Sequence, residues 1–247
     1  MKDVGVEDLV EAAPRKGRDE WGPEVFGKSG RRSDFDRIAR AYRWMEYLSL
    51  GTLLERVRWH HLNCGRLGKC RRALVLGDGD GRFTARLLAA NDEVKVTAVD
   101  LSGCMLELLG RRCALFADRV VVRQGDAREY VPEGAADLVV THFFLDCLTQ
   151  AEVLKLVGRV KPMLGKDALW LVSEFRIPEG WLRWPARLLV RGLYLAFRVL
   201  TGLRVTQLPD HGTVLRGCGF GVVAEKRFLG GLLVSELWEL GCREYWT

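Results

Sequence analysis

Residues 75–83 read VLGDGDGRF, three glycines and two aspartates set between an apolar run and the start of a helix. Backbone that bare lets a ligand approach the main chain. The free N–H groups and positive end of the helix that follows suit an anionic group. Gly77, Gly79 and Gly81 give the spacing G-x-G-x-G, whereas a dinucleotide loop needs glycine at position 82, where Arg82 stands. Asp100 ends the next apolar run, VKVTAVD, where a carboxylate can accept hydrogen bonds from both hydroxyls of a ribose. Asp126, in QGDA after a third run, is placed for an adenine amino group. A nucleoside with a small zwitterionic tail fits these loops better than a pyrophosphate does, which suggests S-adenosylmethionine.

The acid–base candidates come later in the chain. His142 and Asp146 lie in THFFLDCLT. If that segment is helical, their spacing of four brings them to one face, and Asp146 can orient His142 or raise its pKa. His211, in LPDHG, is a second candidate base. The cluster HHLNC (His60, His61, Cys64) with Cys70 fits no strong zinc pattern, so no metal site is expected.

Elements of alternating type must position these residues. From Arg72 on, short apolar runs alternate with helical stretches: ALVLG, GRFTARLLAA, VKVTAVD, SGCMLELLGRRCALF, RVVVRQGD, ADLVVTHFF, AEVLKLVGRVKPML and ALWLVSEF. Repeated β-α-β units of this length predict a doubly wound α/β fold with a parallel sheet covered on both faces. After Phe175 a helical insertion is expected over residues 178–207, then a short helix ending at Gly217 or Gly219. GVVAEKRFLGGLLVSELWEL reads as a terminal β-hairpin around its Gly-Gly turn. Residues 1–32 read as a loose arm, residues 33–70 as an N-terminal helical lid, and residues 71–247 as the ligand-binding domain.

LVLGDGDGRF, VTAVDLSGCML, VRQGDARE and ADLVVTHFFLDCL, in this order and spacing, resemble the class I SAM-dependent methyltransferases. The segment FDRIARAYRWMEYLSLG is similar to the N-terminal helices of the ubiquinone and menaquinone methyltransferases. The resemblance implies a Rossmann-like seven-stranded sheet and S-adenosylmethionine as cofactor, with S-adenosylhomocysteine as product. It also implies a cofactor site of Tyr42, Gly77, Asp78, Gly79, Gly81, Asp100, Leu101, Met105, Asp126, Ala127, Thr141 and His142. The family's acid two residues before the first glycine is Val75 here, with Asp78 or Asp80 as substitutes.

Methyl transfer from a sulfonium is an in-line displacement that needs mainly proximity and alignment, and a base only if the acceptor must lose a proton. The expected activity is therefore methylation of a small acceptor, with His142, Asp146 and His211 as candidate catalytic groups. Trp181, Trp184, Tyr194 and Phe197 in the insertion offer area for an aromatic or lipophilic acceptor. A nicotinamide-dependent oxidoreductase is disfavoured by the loop spacing. A SAM-binding protein without catalysis is the other reading, for which Val75 is the hint. The 38 basic and 32 acidic residues give a net charge of +6 without a basic, aromatic-rich run, so no nucleic-acid partner is expected. Peripheral membrane contact through the insertion is the less favoured reading beside an ordinary packed helix. Seven cysteines without a C-x-x-C pair, and an N-terminus lacking a signal-peptide core, read as cytoplasmic.

Overall fold

The computed structural model describes residues 51–132, 134–201, 205 and 207–242, with the backbone alone at positions 193 and 196–201. Seven strands form one sheet: β1 (Arg72–Leu76), β2 (Lys95–Asp100), β3 (Val120–Gln124), β4 (Ala136–His142), β5 (Leu164–Phe175), β6 (Phe220–Phe228) and β7 (Leu233–Leu240). Their order is β3-β2-β1-β4-β5-β7-β6. The first five run parallel, and β7 lies antiparallel to both β5 and β6. The expected Rossmann-like sheet and terminal hairpin are both present.

The strands form because their apolar runs are covered on both faces, as parallel strands require. On one face Val75, Leu138 and Leu171 pack with Phe83, Leu87 and Leu109 from the helices α2 (Arg82–Ala90) and α3 (Gly103–Arg112). On the other, Val139, Trp170 and Trp238 pack with Val157 and Leu215 from α4 (Gln150–Val160) and α6 (His211–Gly217). Helix starts are fixed locally. Ser102 accepts from the Met105 N–H at 3.3 Å, and Thr149 and Glu152 make a reciprocal capping box, each cap worth about 1 kcal/mol.

Of the expected lid, α1 (Gly51–Trp59) is described; Tyr42 and the rest of the segment before Gly51 lie outside the described residues. Leu54 and Val57 of α1 pack on Phe143 and Leu233. Ser173 Oγ donates to the Val57 carbonyl at 3.4 Å, and His61 Nε2 hydrogen-bonds the Ser235 carbonyl at 3.1 Å. These contacts seat α1 across β5 and β7. The insertion carries a long helix, α5 (Arg183–Thr201), whose Ala186, Val190 and Tyr194 pack near Phe175, Leu208 and Leu232.

Candidate active site

The chain moves outward from β1 to β3 and returns to place β4 beside β1, so the strand order reverses between β1 and β4. In open α/β sheets that reversal opens a crevice beyond the strands' carboxyl ends. The glycine loop leaves β1 at this point. Gly77, Gly79 and Gly81 have φ of 71°, 63° and 79°, a region that side chains disfavour.

The three glycines have different duties. A Cβ at Gly77 would meet the Phe144 ring at 2.6 Å, and one at Gly81 would lie 2.9 Å from the Leu109 Cα, so both permit close packing. Nothing stands within 4 Å of a Cβ at Gly79. Its surface is open, as a cradle for a ligand should be. Asp100 fixes the loop from β2: its Oδ2 accepts from the Gly79 N–H at 3.2 Å and its Oδ1 from the Ser102 N–H at 2.9 Å. Burial pushes the Asp100 carboxyl above its ordinary range, and these backbone N–H groups draw it back. The carboxylate is thus oriented beside the bare glycine. Leu101, the next residue, is exposed, while Met105 and Ala127 are buried nearby in sequence.

The two loop aspartates have different partners. Asp80 pairs with Arg82 at 3.1 Å and Arg112 at 3.0 Å, and Arg82 also pairs with Glu55 of α1. That network ties α1 to the loop. Asp78 Oδ2 accepts from the Thr84 N–H at 2.9 Å and hydroxyl at 2.6 Å, and burial pushes its carboxyl up to about 6 against the pull of Thr84 and Arg58. Val75 faces the core with Val96 and Leu138, so no carboxylate stands at that position. Asp126 is held by Arg128, whose Nε and Nη2 donate to it at 2.9 Å and 2.6 Å. Thr141 accepts from Trp170 Nε1 at 3.0 Å and is fully buried in that contact.

The expected His142–Asp146 pair does not form. β4 ends at His142, Phe143 takes a left-handed φ of 51°, and Leu145–Cys147 forms a 3₁₀ turn rather than an α-helix. The reason is Glu174 at the end of β5, whose Oε1 accepts from the Phe144 and Leu145 N–H groups at 3.1 Å and 2.7 Å. Neither ring nitrogen of His142 has a hydrogen-bond partner among the described residues, and the ring packs edge-on against Phe83 at 4.5 Å. Burial, and secondarily Arg58, depresses His142 well below its ordinary value. It is a neutral imidazole with no carboxylate to orient it.

Asp146 instead joins a second polar group beyond β4 and β5. Burial pushes it up to about 6 and pushes Glu174 well above its ordinary range, the two acids opposing each other's ionisation. Glu174 Oε2 is buried without a hydrogen-bond partner among the described residues. Tyr194 of α5 donates to the Asp146 carbonyl at 2.7 Å. His211 belongs to a neighbouring pair: its Nε2 meets Glu236 Oε2 at 2.7 Å, and Glu236 also takes Trp238 Nε1 at 3.1 Å and an ion pair from Arg176. Glu174 and Arg58 went unnoticed in the sequence. An acid closing the apolar strand LWLVSEF was the available signal for the first; for Arg58, one cation among many on a helix, there was none.

Of the insertion aromatics, Tyr194 packs inward, whereas Trp181 and Trp184 are 83% and 71% exposed. The Phe197 side chain lies outside the described ones.

The reversal at β1 and β4, the glycine bend and the strand-end acid belong to a Rossmann-like fold with the class I methyltransferase layout. Residues 73–167 match the family described as a methyltransferase domain. The sequence has no match among curated proteins. Its fold is similar to that of an O-methyltransferase family protein from Burkholderia thailandensis, at 19% identity and a TM-score of 0.62, covering 83% of this chain and 60% of that one. It is also similar to an N,N-8-amino-8-demethyl-D-riboflavin dimethyltransferase from Streptomyces davawensis, at 21% identity and a TM-score of 0.59, covering 85% and 63%. A third similar structure is an O-methyltransferase family 2 protein from Planctomyces limnophilus in complex with apigenin, at 20% identity and a TM-score of 0.61, covering 81% and 61%. The chain therefore spans about 60% of the length of these proteins.

Proposed function

We propose that the chain binds S-adenosylmethionine at the carboxyl ends of β1 and β2 and transfers its methyl group to a small aromatic or lipophilic acceptor. The observation that carries this reading is the open surface at Gly79 beside an Asp100 carboxylate already oriented by two backbone N–H groups. Asp100 would hold the ribose, Leu101 and Met105 the adenine face, and Asp126 and Ala127 the adenine edge. Arg58, whose charge is felt by both Asp78 and His142, supplies positive potential at the methionine end. Tyr42 is retained in the proposed cofactor site through its resemblance alone. The bound cofactor supplies an activated methyl on a sulfonium, so this chain's own task is to align the acceptor and keep water out.

The acceptor lies on this reading beyond β4 and β5, near Asp146 and Tyr194. Of the candidate bases, His211 keeps a carboxylate partner and His142 has none, which favours His211 with Glu236 over His142 with Asp146. Apigenin in the Planctomyces complex and the riboflavin-derived substrate named for the Streptomyces enzyme support an aromatic acceptor. A cytoplasmic site of action fits the absence, among the described residues, of a helix long and apolar enough to cross a membrane.

Val75 favours a second reading, a SAM-binding protein without turnover, because no acid stands where the family holds the methionine amino group. Calorimetry with S-adenosylmethionine, S-adenosylhomocysteine and NAD, followed by a labelled-methyl screen over metabolite extracts, tests both. Binding with transfer supports the enzyme, and binding without transfer the second reading. Absence of binding to either adenosyl compound overturns both.

A further inference from the structure

Helix α5 is apolar on two opposite sides. Its inner side, Ala186 and Val190, is buried against the domain. On its outer side, Trp184, Leu188 and Leu195 are 71%, 69% and 64% exposed, and Trp181 continues the row just before the helix. The spacing of three, four and seven residues aligns these groups in one stripe about 21 Å long, at 1.5 Å per residue. An ordinary surface helix shows polar residues there. Arginines run along one edge of the stripe: Arg183 and Arg191 are exposed, and Arg187 is half-buried with its guanidinium 6.0 Å from the Trp184 ring. From residue 180 to 209 the chain has five arginines, at 183, 187, 191, 198 and 204, and no acidic residue.

We propose that the outer face of α5 docks on an anionic lipid surface. Tryptophan and leucine on a face whose only charged neighbours are arginines is the composition of a helix lying in the headgroup plane, where apolar burial and attraction to anionic lipids add. Two copies meeting through this stripe would bring same-sign arginines together without an acid to receive them, which disfavours a symmetric dimer. No helix among the described residues is long and apolar enough to cross a membrane, so the contact is peripheral. The proposal does not depend on methyl transfer.

The test is co-sedimentation of the full chain with vesicles of phosphatidylcholine alone or mixed with phosphatidylglycerol, alongside tryptophan emission. The chain should partition to the mixed vesicles with a blue shift, and far less to neutral ones. Replacing Trp184 and Leu188 together by serine should abolish partition. Arg187→Gln and Arg191→Gln should each weaken it about fivefold, the equivalent of about 1 kcal/mol per charge near an anionic surface. Thermal melting of each variant establishes that it is folded; Trp184, Leu188 and Arg191 are exposed and tolerate the change. Absence of partition, or serine variants that partition like the parent, would overturn the proposal. So would light scattering that shows a dimer dissociated by the serine variant, which would assign the stripe to a second copy.

Discussion

The phenol of Tyr194 donates a hydrogen bond to the main-chain carbonyl of Asp146 at 2.7 Å, joining the insertion helix to the turn that leaves β4. The turn is itself held by Glu174, so one chain of contacts runs from β5 through residues 144–147 to α5. Tyr194→Phe removes one link while leaving the ring packed. A lost hydrogen bond of about 1 kcal/mol should raise the open population of α5 about fivefold. Limited trypsin digestion at Arg183, Arg187 and Arg191 should accelerate by that factor, with affinity for S-adenosylhomocysteine unchanged. An unaltered digestion rate would mean that packing alone holds the helix.

Asp100→Ala should weaken S-adenosylhomocysteine binding by about 1.5 to 3 kcal/mol, roughly a tenfold to hundredfold rise in Kd, through loss of charge-assisted hydrogen bonds. It also frees the Gly79 and Ser102 N–H groups. Asp100→Asn keeps an acceptor oxygen and should lose less. Calorimetry giving equal affinity for all three proteins would remove Asp100 from the site.

The glycines of the loop should separate stability from binding. At Gly81 a methyl group meets the Leu109 Cα at 2.9 Å on a backbone of φ 79°, so Gly81→Ala should cost about 2 to 4 kcal/mol in urea unfolding. At Gly79 the strain of φ 63° remains but nothing stands in the way, and about 1 to 2 kcal/mol is expected. Gly79→Ala should nevertheless lose ligand affinity, because its methyl would occupy the open surface. Unfolding midpoints in the reverse order would contradict this division.

The alternating fold is legible in the sequence because its strands are apolar on both faces and its glycines and strand-end acids fall where α/β units turn. ALVLG, VKVTAVD and ADLVVTH each become a strand within a residue or two of the apolar run. The His142–Asp146 geometry is not legible, because it depends on Glu174, 28 residues beyond Asp146, which captures the turn's N–H groups and diverts the chain into a 3₁₀ turn. The inward Tyr194 and outward Trp184 are likewise set by which side of α5 meets Leu232 and Phe175. Helical spacing alone allows a tryptophan stripe to face either way. Asp80 reads as a loop residue beside the glycines, and only the distant Arg112 and the Arg82–Glu55 contact reveal it as an anchor for α1.

Glu236 should dominate the acid side of the stability profile. Burial pushes its carboxyl up, but the hydrogen bond and charge of His211, the Arg176 guanidinium and Trp238 outweigh burial and leave it at about 2, below its ordinary 4.5. Between those values the unfolded chain binds a proton that the native protein does not, so stability rises with pH. The contribution, roughly 3 kcal/mol, is complete above pH 4.5 and lost as pH falls through about 2. Asp78 and Asp146 act oppositely. Burial raises both from 3.8 to about 6, so the native protein keeps protons that the unfolded chain releases, and stability falls as pH rises through that window. From these groups the melting temperature should peak near pH 4 to 5. Glu236→Gln should lower the melting temperature above pH 4.5 and flatten the acid limb below it, whereas Asp78→Asn should flatten the decline between pH 4 and 6. Melting scans from pH 2 to 7 distinguish the two limbs; acid limbs that run parallel in the parent and Glu236→Gln would show that the ion pair with His211 and Arg176 does not stabilise the fold.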